Sequence, residues 1–375
     1  MKKTLVVLLI LAVAGGVFAQ EWSWDGTVRL GADVNFSPSP VTIQHTGDDD
    51  MGRGEVNLNY SNGGFHAGLN FGVYYDSAPG GVIGASAGYD GENFSINAGM
   101  DILTSSFGIA QVNSLWGKWF LFEKQLEILA AYKGPETIYW RATDMLDDND
   151  WDNMDGNNGL EINFTPSFLE GFSVGFAFPD IFALGAGTNF ANVFTPFTVG
   201  AKYAHDVFTV GLMFTNDAGK TFGKAIYLGG SFNIGDTMSA GAEVILGNFE
   251  AADLSLGIAA CFNYASDRLG AGGTVTFKTS FASGSNSDLA IKPYVQYAII
   301  EETLLARLDL EVKLGFGSAT TFGLWVTPAA YYNPDASGIS DDPAHALYLK
   351  CALGADNFDT DDFGVKLTFG YRWAF

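Results

Sequence analysis

Apolar and polar residues alternate with a period of two along most of this chain. From Trp24 to Phe36, one set of positions reads Trp24, Gly26, Val28, Leu30, Ala32, Val34 and Phe36. The other reads Asp25, Thr27, Arg29, Gly31, Asp33 and Asn35. An extended strand sends successive side chains to opposite faces, whereas a helix repeats every ~3.6 residues. The stretch therefore predicts a strand with one apolar and one polar face. The pattern recurs over Phe65 to Tyr75, Phe94 to Ile102, Val193 to Tyr203, Leu254 to Tyr264, Leu269 to Phe281, Leu289 to Ile299 and Leu304 to Phe316. In the last of these, Leu304, Ala306, Leu308, Leu310, Val312, Leu314 and Phe316 alternate with a set that includes Arg307, Asp309, Glu311 and Lys313. Charges on one strand face cannot sit in a dry core without a heavy desolvation cost. The sheet must have one lipid-like side and one wet side.

The connectors alternate in length. Tight hairpin chemistry appears at Ser61-Asn62-Gly63, Asp90-Gly91-Glu92, His205-Asp206, Gly235-Asp236-Thr237, Ser266-Asp267-Arg268 and Glu301-Glu302. Longer connectors fall between them: 37–51, 76–80, 104–111, 143–158, 179–192 and 216–223. The predicted fold is all-β: a transmembrane antiparallel up-and-down β-barrel with an even number of strands, roughly 16 to 20. Residues 125–142 read either as one long strand or as two around Gly134-Pro135, and 333–343 is long where a short turn is expected.

Composition agrees with a membrane barrel. Hydrophobic residues make up 47% of the 375 and charged residues only 16%, against a usual charged share of about 25%. No internal run supplies the roughly 20 consecutive apolar residues of a spanning helix. At the N-terminus, Lys2 and Lys3 precede an apolar stretch from Leu5 to Phe18, with small residues Val17 and Ala19 before a cleavage point. Residues 1–19 are thus expected to be a signal peptide, and 20–375 a single barrel domain. Cys261 falls on the polar phase and Cys351 on the apolar phase, so two free thiols are expected.

The last stretch, Phe363 to Phe375, places Phe363, Val365, Leu367, Phe369, Tyr371, Trp373 and Phe375 on one face. This ending, with Leu367, Phe369, Tyr371, Trp373 and terminal Phe375 at alternate positions, resembles the C-terminal assembly signal of bacterial outer-membrane β-barrel proteins of the porin-like kind. The resemblance implies residence in the outer membrane, contact with its lipid and insertion by the barrel-assembly machinery. It also brings in the homotrimer as a possible assembly, and it names no substrate.

The polar phase gives the candidate pore lining. Its basic members are Arg29, Arg53, Lys202, Lys278, Lys292, Arg307, Lys313, Lys350, Lys366 and Arg372. Its acidic members are Asp33, Glu55, Asp101, Glu127, Glu161, Glu243, Asp309 and Glu311. The wall is nearly balanced and would set a transverse field across a water-filled channel; a lumen closed by salt bridges or loops is the competing reading. The excess acid is in the connectors, at Asp48 to Asp50, Asp144 to Asp155, Asp341-Asp342 and Asp356 to Asp362. Such a rim would attract cations over about 8–10 Å at physiological salt. Without Lys2 and Lys3, the 19 basic residues fall to 17 against 42 acidic ones, which argues against nucleic-acid binding.

Residues 148–156 resemble a calcium loop only superficially, since the glycine is out of step and the ligand series breaks at Met154. No metal or cofactor is expected. Thr215 to Thr221, TNDAGKT, lacks the upstream glycine of a phosphate loop. The four histidines, His45, His66, His205 and His345, show no spacing that suggests a catalytic set. The connector Pro179 to Asn192 carries Ile181, Phe182, Leu184 and Phe190; it either folds into the barrel and narrows it, or packs against the rim or another strand. The sequence thus points to a non-enzymatic, porin-like channel for small hydrophilic solutes or ions. A surface adhesin or antigen with a closed lumen, or a transporter of hydrophobic substrates, are the alternatives.

Overall fold

A computed structural model describes residues 22–36, 42–45, 53–75, 79–103, 111–132, 140–143, 145–146, 159–178, 194, 196–216, 224–248, 254–282, 284–301, 303–332, 347–358 and 363–374. The strands are, in order, β1 (Trp22–Asn35), β2 (Thr42–His45), β3 (Arg53–Asn62), β4 (Phe65–Tyr75), β5 (Pro79–Asp90), β6 (Phe94–Leu103), β7 (Gln111–Leu121), β8 (Leu126–Tyr132), β9 (Leu160–Phe164), β10 (Phe172–Phe178) and β11 (Phe197–His205). They continue as β12 (Phe208–Asn216), β13 (Lys224–Ile234), β14 (Met238–Gly247), β15 (Ser255–Ala265), β16 (Leu269–Ser280), β17 (Ser287–Ile300), β18 (Leu304–Phe316), β19 (Thr321–Tyr332), β20 (Leu347–Ala355) and β21 (Gly364–Ala374).

From β3 onward each strand pairs antiparallel with the next, and the sheet closes on itself through β1 and β21. The closing ladder runs from Thr27↔Ala374 to Asn35↔Lys366. The other edge of β1 bonds β3 from Trp22↔Tyr60 to Arg29↔Arg53, then β2 from Ala32↔His45 to Asn35↔Thr42. Thus β2 and β3 act as one stave interrupted by residues 46–52, and the barrel has 20 staves. This is the even, closed, antiparallel architecture that the alternation predicts, and closure leaves no unpaired sheet edge.

The apolar phase forms the outside. Leu30 is 59% exposed, Val73 66%, Leu228 52% and Leu349 52%. In water, each such side chain would forgo about 25 cal/mol for every Å² left wet. A continuous apolar ring of this size fits hydrocarbon. Most strands have the length for it too, since roughly 9–11 tilted residues cross a bilayer core; β8, β9 and β10 are shorter, at 7, 5 and 7 residues.

Hairpin turns join the staves at one end. Gly63 and Gly64 take φ of +57° and +87°, the left-handed pair a two-residue hairpin requires. A Cβ at Gly64 would also run into the Asp90 carbonyl. The β7–β8 turn places Phe122, Glu123 and Lys124 at positive φ. The connector 333–346 at the same end lies outside the described residues, as do residues 1–21, Pro179 to Asn192, the acidic runs at 48–50, 147–155 and 359–362, and Phe375. Within 125–142 the described residues are the end of the β7–β8 turn, β8 ending at Tyr132, and residues 140–142, which are not strand; 133–139 lie outside the described residues. Cys261 and Cys351 are both free thiols.

Candidate functional site: the barrel lumen

The polar phase of the staves forms the inner wall, and the lumen divides into two arcs. One is filled. Residues 140–143 and 145–146, part of the β8–β9 connector, form a strap inside the barrel against the staves from β7 to β15. Trp140 and Leu146 are fully buried, together with Leu129 and Ala131 of β8, Ala177 of β10, Met213 of β12, Ala225 and Tyr227 of β13, Ile245 of β14 and Ala259 of β15.

Small wall residues make the seat. Gly175 of β10 and Gly200 of β11 are direct cross-strand partners. A Cβ on Gly175 would lie 2.7 Å from Trp140 Cζ2, and one on Gly200 2.5 Å from Trp140 Cδ2. At Gly211 of β12 it would collide with the Trp140 carbonyl oxygen. Glycine inside a strand marks a place where another chain segment approaches the backbone, and here that segment is the strap. Trp140 Nε1–H donates to Asn163 Oδ1 at 3.2 Å, which fixes the indole in its slot.

Two wall side chains latch the strap. The Tyr227 hydroxyl donates to the Thr143 carbonyl at 3.0 Å and accepts from the amides of Ala142 and Thr143 at 3.1 and 3.0 Å. Glu243 of β14 accepts from the amides of Met145 at 2.9 Å and Leu146 at 2.6 Å through Oε1, and from Thr143 Oγ1 at 2.7 Å through Oε2. Arg141 lies 5.3 Å above the Tyr227 ring, with Nη2 3.9 Å from Glu243 Oε2. Glu243 is 1% exposed. A carboxylate at that depth costs roughly several kcal/mol unless donors surround it, and the strap supplies them from two amides and a hydroxyl.

This corrects one expectation from the sequence and leaves another outside the described residues. Glu243 is a latch under the strap and does not face open water. The segment found across the lumen among the described residues is the strap, 140–143 and 145–146, whereas Pro179 to Asn192, the candidate constriction, is not described. Cys261 and Thr143 both flank Gly241 beside this latch: a Cβ placed on Gly241 would be 3.2 Å from Cys261 Sγ and 3.1 Å from Thr143 Cγ2. Thr143→Cys in a Cys351→Ser background is therefore expected to form an intramolecular disulfide with Cys261 under mild oxidation, read as an electrophoretic shift reversed by reductant. No shift would place the strap elsewhere in the folded barrel.

The second arc, from β16 through β21 and β1 to β6, carries most of the candidate charges. Arg307 Nη2 contacts Asp309 Oδ1 at 2.8 Å, and Lys292 contacts Glu311 at 3.1 Å. Lys366 Nζ lies 3.0 Å from Asp33 Oδ2, and Thr368 Oγ1 donates to Asp33 Oδ1 at 2.5 Å. Asp33 is 1% exposed, so it pins β1 to β21 beside the seam. Register places Arg29 between Arg53 of β3 and Arg372 of β21 as direct partners, three arginine positions at one backbone level. Glu55, Asp101, Lys278 and Lys350 lie partly exposed on the same arc.

On the filled arc, the remaining charges are Lys118 and Glu127, paired at 3.0 Å, with buried Glu161 and half-buried Lys202. At the long-connector end, Asp356 accepts from Lys313 Nζ at 2.8 Å and from Trp325 Nε1 at 3.2 Å. The Lys313 hydrogen bond holds its carboxyl below the ordinary range.

No protein-family model and no curated protein matches the chain. Solved structures do. The anion-selective porin from Comamonas acidovorans is 12% identical, with 94% of this chain and 99% of that one covered at a TM-score of 0.46. Pseudomonas aeruginosa OprD is 10% identical, with 94% and 95% covered at 0.45. OmpT, an outer membrane protein of Vibrio cholerae, is 10% identical, with 94% and 97% covered at 0.42. At these values the likeness concerns barrel architecture alone, and the architecture stands on the strand pairing described above.

Proposed function

We propose that this chain is a porin-like channel of the bacterial outer membrane through which small hydrophilic solutes or ions diffuse passively, without catalysis. The observation that supports this best is the water-accessible charge on the second arc. Lys292 and Lys313 side chains are 57% and 44% exposed inside a barrel whose outside is apolar. A closed pedestal for a surface adhesin would bury those heads or pack them against a plug. A leader at residues 1–19 and recognition of the terminal aromatic strand by the assembly machinery belong to the same reading.

Single-channel recording of the refolded barrel in a planar bilayer tests it. Steady conductance is expected; none from a folded barrel would favour the closed pedestal. Selectivity follows from the arginine row. Changing Arg29 to Glu replaces a positive charge by a negative one beside two further arginine positions. One unit charge at contact distance is worth on the order of 1 kcal/mol in water. The cation-over-anion permeability ratio, read from the reversal potential in a salt gradient, is expected to rise at least about fivefold. An unchanged ratio would remove Arg29 from the permeation path.

A further inference from the structure

We propose that a notch in the lumen wall at Pro293 binds small zwitterionic solutes, those that carry an ammonium and a carboxylate on one amino-acid-sized body. The proposal rests on the channel reading and names a solute class for it.

The notch starts from a broken rule of sheet construction. Proline has no N–H to give a ladder and is normally confined to edges and bulges. Pro293 lies within β17, which is bonded to β16 on one side and β18 on the other. The β17–β18 ladder runs to Ile291↔Val312 and resumes only at Tyr294↔Asp309. Across the other ladder, Pro293 faces Gly273, where a Cβ would lie 2.7 Å from Pro293 Cα. The interruption leaves a cavity of about 370 Å³ in the wall, at the lower end of the roughly 300–1,000 Å³ of small-molecule sites.

The lining has two layers. The first is fixed. Arg307 stacks over Tyr294 at 4.4 Å, and its Nε donates to both Asp309 oxygens at 2.9 and 3.0 Å. This guanidinium is 9% exposed and serves as scaffold. The second is open: Lys292 and Glu311 meet at 3.1 Å, with side chains 57% and 26% exposed. An exposed lysine–carboxylate pair is worth only about 0–1 kcal/mol, so a solute can insert its own charges between them.

The sign pattern selects the solute. Lys292 and Arg307 balance Asp309 and Glu311, and Lys313, 3.6 Å from Glu311, is itself balanced by Asp356 at 2.8 Å, so the notch has no net charge. A pure anion gains from one side and is repelled by the other, as is a pure cation. A zwitterion satisfies both, with its carboxylate on Lys292 and its ammonium on Glu311 and the open side of Asp309. The Tyr294 ring and the Trp325 indole bound the cavity with aromatic surface for the solute's carbon body.

The test is glutamine added to one side during single-channel recording of the whole barrel, with glucose as the uncharged comparison. Glutamine is expected to interrupt the current reversibly at concentrations where glucose does not. Lys292→Gln and Glu311→Gln are each expected to weaken this block about tenfold, the loss of one charge-assisted contact. Both sites are water-exposed, and solute-free conductance reports that each variant folds. Equal block by glucose, or glutamine block unchanged in both variants, would overturn the proposal. Calorimetric titration of the detergent-folded barrel with glutamine separates the two readings. Binding heat lost in both variants, from a barrel that never conducts, defeats the channel and keeps the site. Conductance with neither heat nor block defeats the site and keeps the channel.

Discussion

Replacing Glu243 with Ala is expected to unseat the strap and enlarge the conducting path. The carboxylate accepts three hydrogen bonds from the strap at 2.6 to 2.9 Å. Truncation leaves the Met145 and Leu146 amides in a dry wall without that acceptor and strips Arg141 of the carboxylate 3.9 Å away. Breaking a buried charge network of this kind costs roughly 3–5 kcal/mol. That exceeds what a short segment holds in reserve. Unitary conductance is expected to rise and grow noisy, and amide exchange at Met145 and Leu146 to quicken at least about a hundredfold, the equivalent of about 3 kcal/mol. Glu243→Gln, which keeps one acceptor oxygen, should fall between. Wild-type conductance and exchange in Glu243→Ala would show that Glu243 does not hold the segment.

The second large effect is expected at Trp140. Its indole is fully buried, and truncating such a side chain to Ala costs roughly 3–5 kcal/mol. Trp140→Ala is expected to empty the slot over Gly175 and Gly200 and to reproduce the larger, noisier conductance of Glu243→Ala, while the strand content seen by circular dichroism stays constant. The slot can be disabled from the opposite side. Gly200→Ala puts a methyl 2.5 Å from the indole, well inside contact distance, and overpacking of this sort costs about 1–3 kcal/mol. Shared behaviour of the two variants would identify the ring and its seat as one unit. Unaltered conductance in both would leave the strap without influence on permeation.

The barrel was readable in the sequence because lipid on one side and water on the other impose a strict period of two. Leu304 to Phe316 shows both halves of that rule in one strand, and the structure places Arg307, Asp309, Glu311 and Lys313 together with Lys292 on one inner arc. The strap was not readable, for two physical reasons. Its own residues, Trp140-Arg141-Ala142-Thr143, carry no period that separates an inserted segment from a strand end. Its seat is written in glycines at 175, 200 and 211, on three different staves, and these become one groove only when the staves lie side by side. Glu243 looked like a channel charge because its phase is right; what covers it lies about 100 residues earlier in the chain. The arginine row at 29, 53 and 372 depends likewise on the closing ladder between β1 and β21.

The latch also sets an order of assembly. The donors of the strap precede Tyr227 by 84 and 85 residues and Glu243 by as many as 100. Contacts of such wide sequence separation form late, because the chain between them must first be organised. Here that chain is β9 to β13, which must be paired before β14 can present its carboxylate. The strap therefore docks into a sheet already half built. An intermediate that has zipped only as far as β9 would leave Trp140 without the glycine groove of β10 to β12, so an exposed indole at this position marks an unfinished barrel.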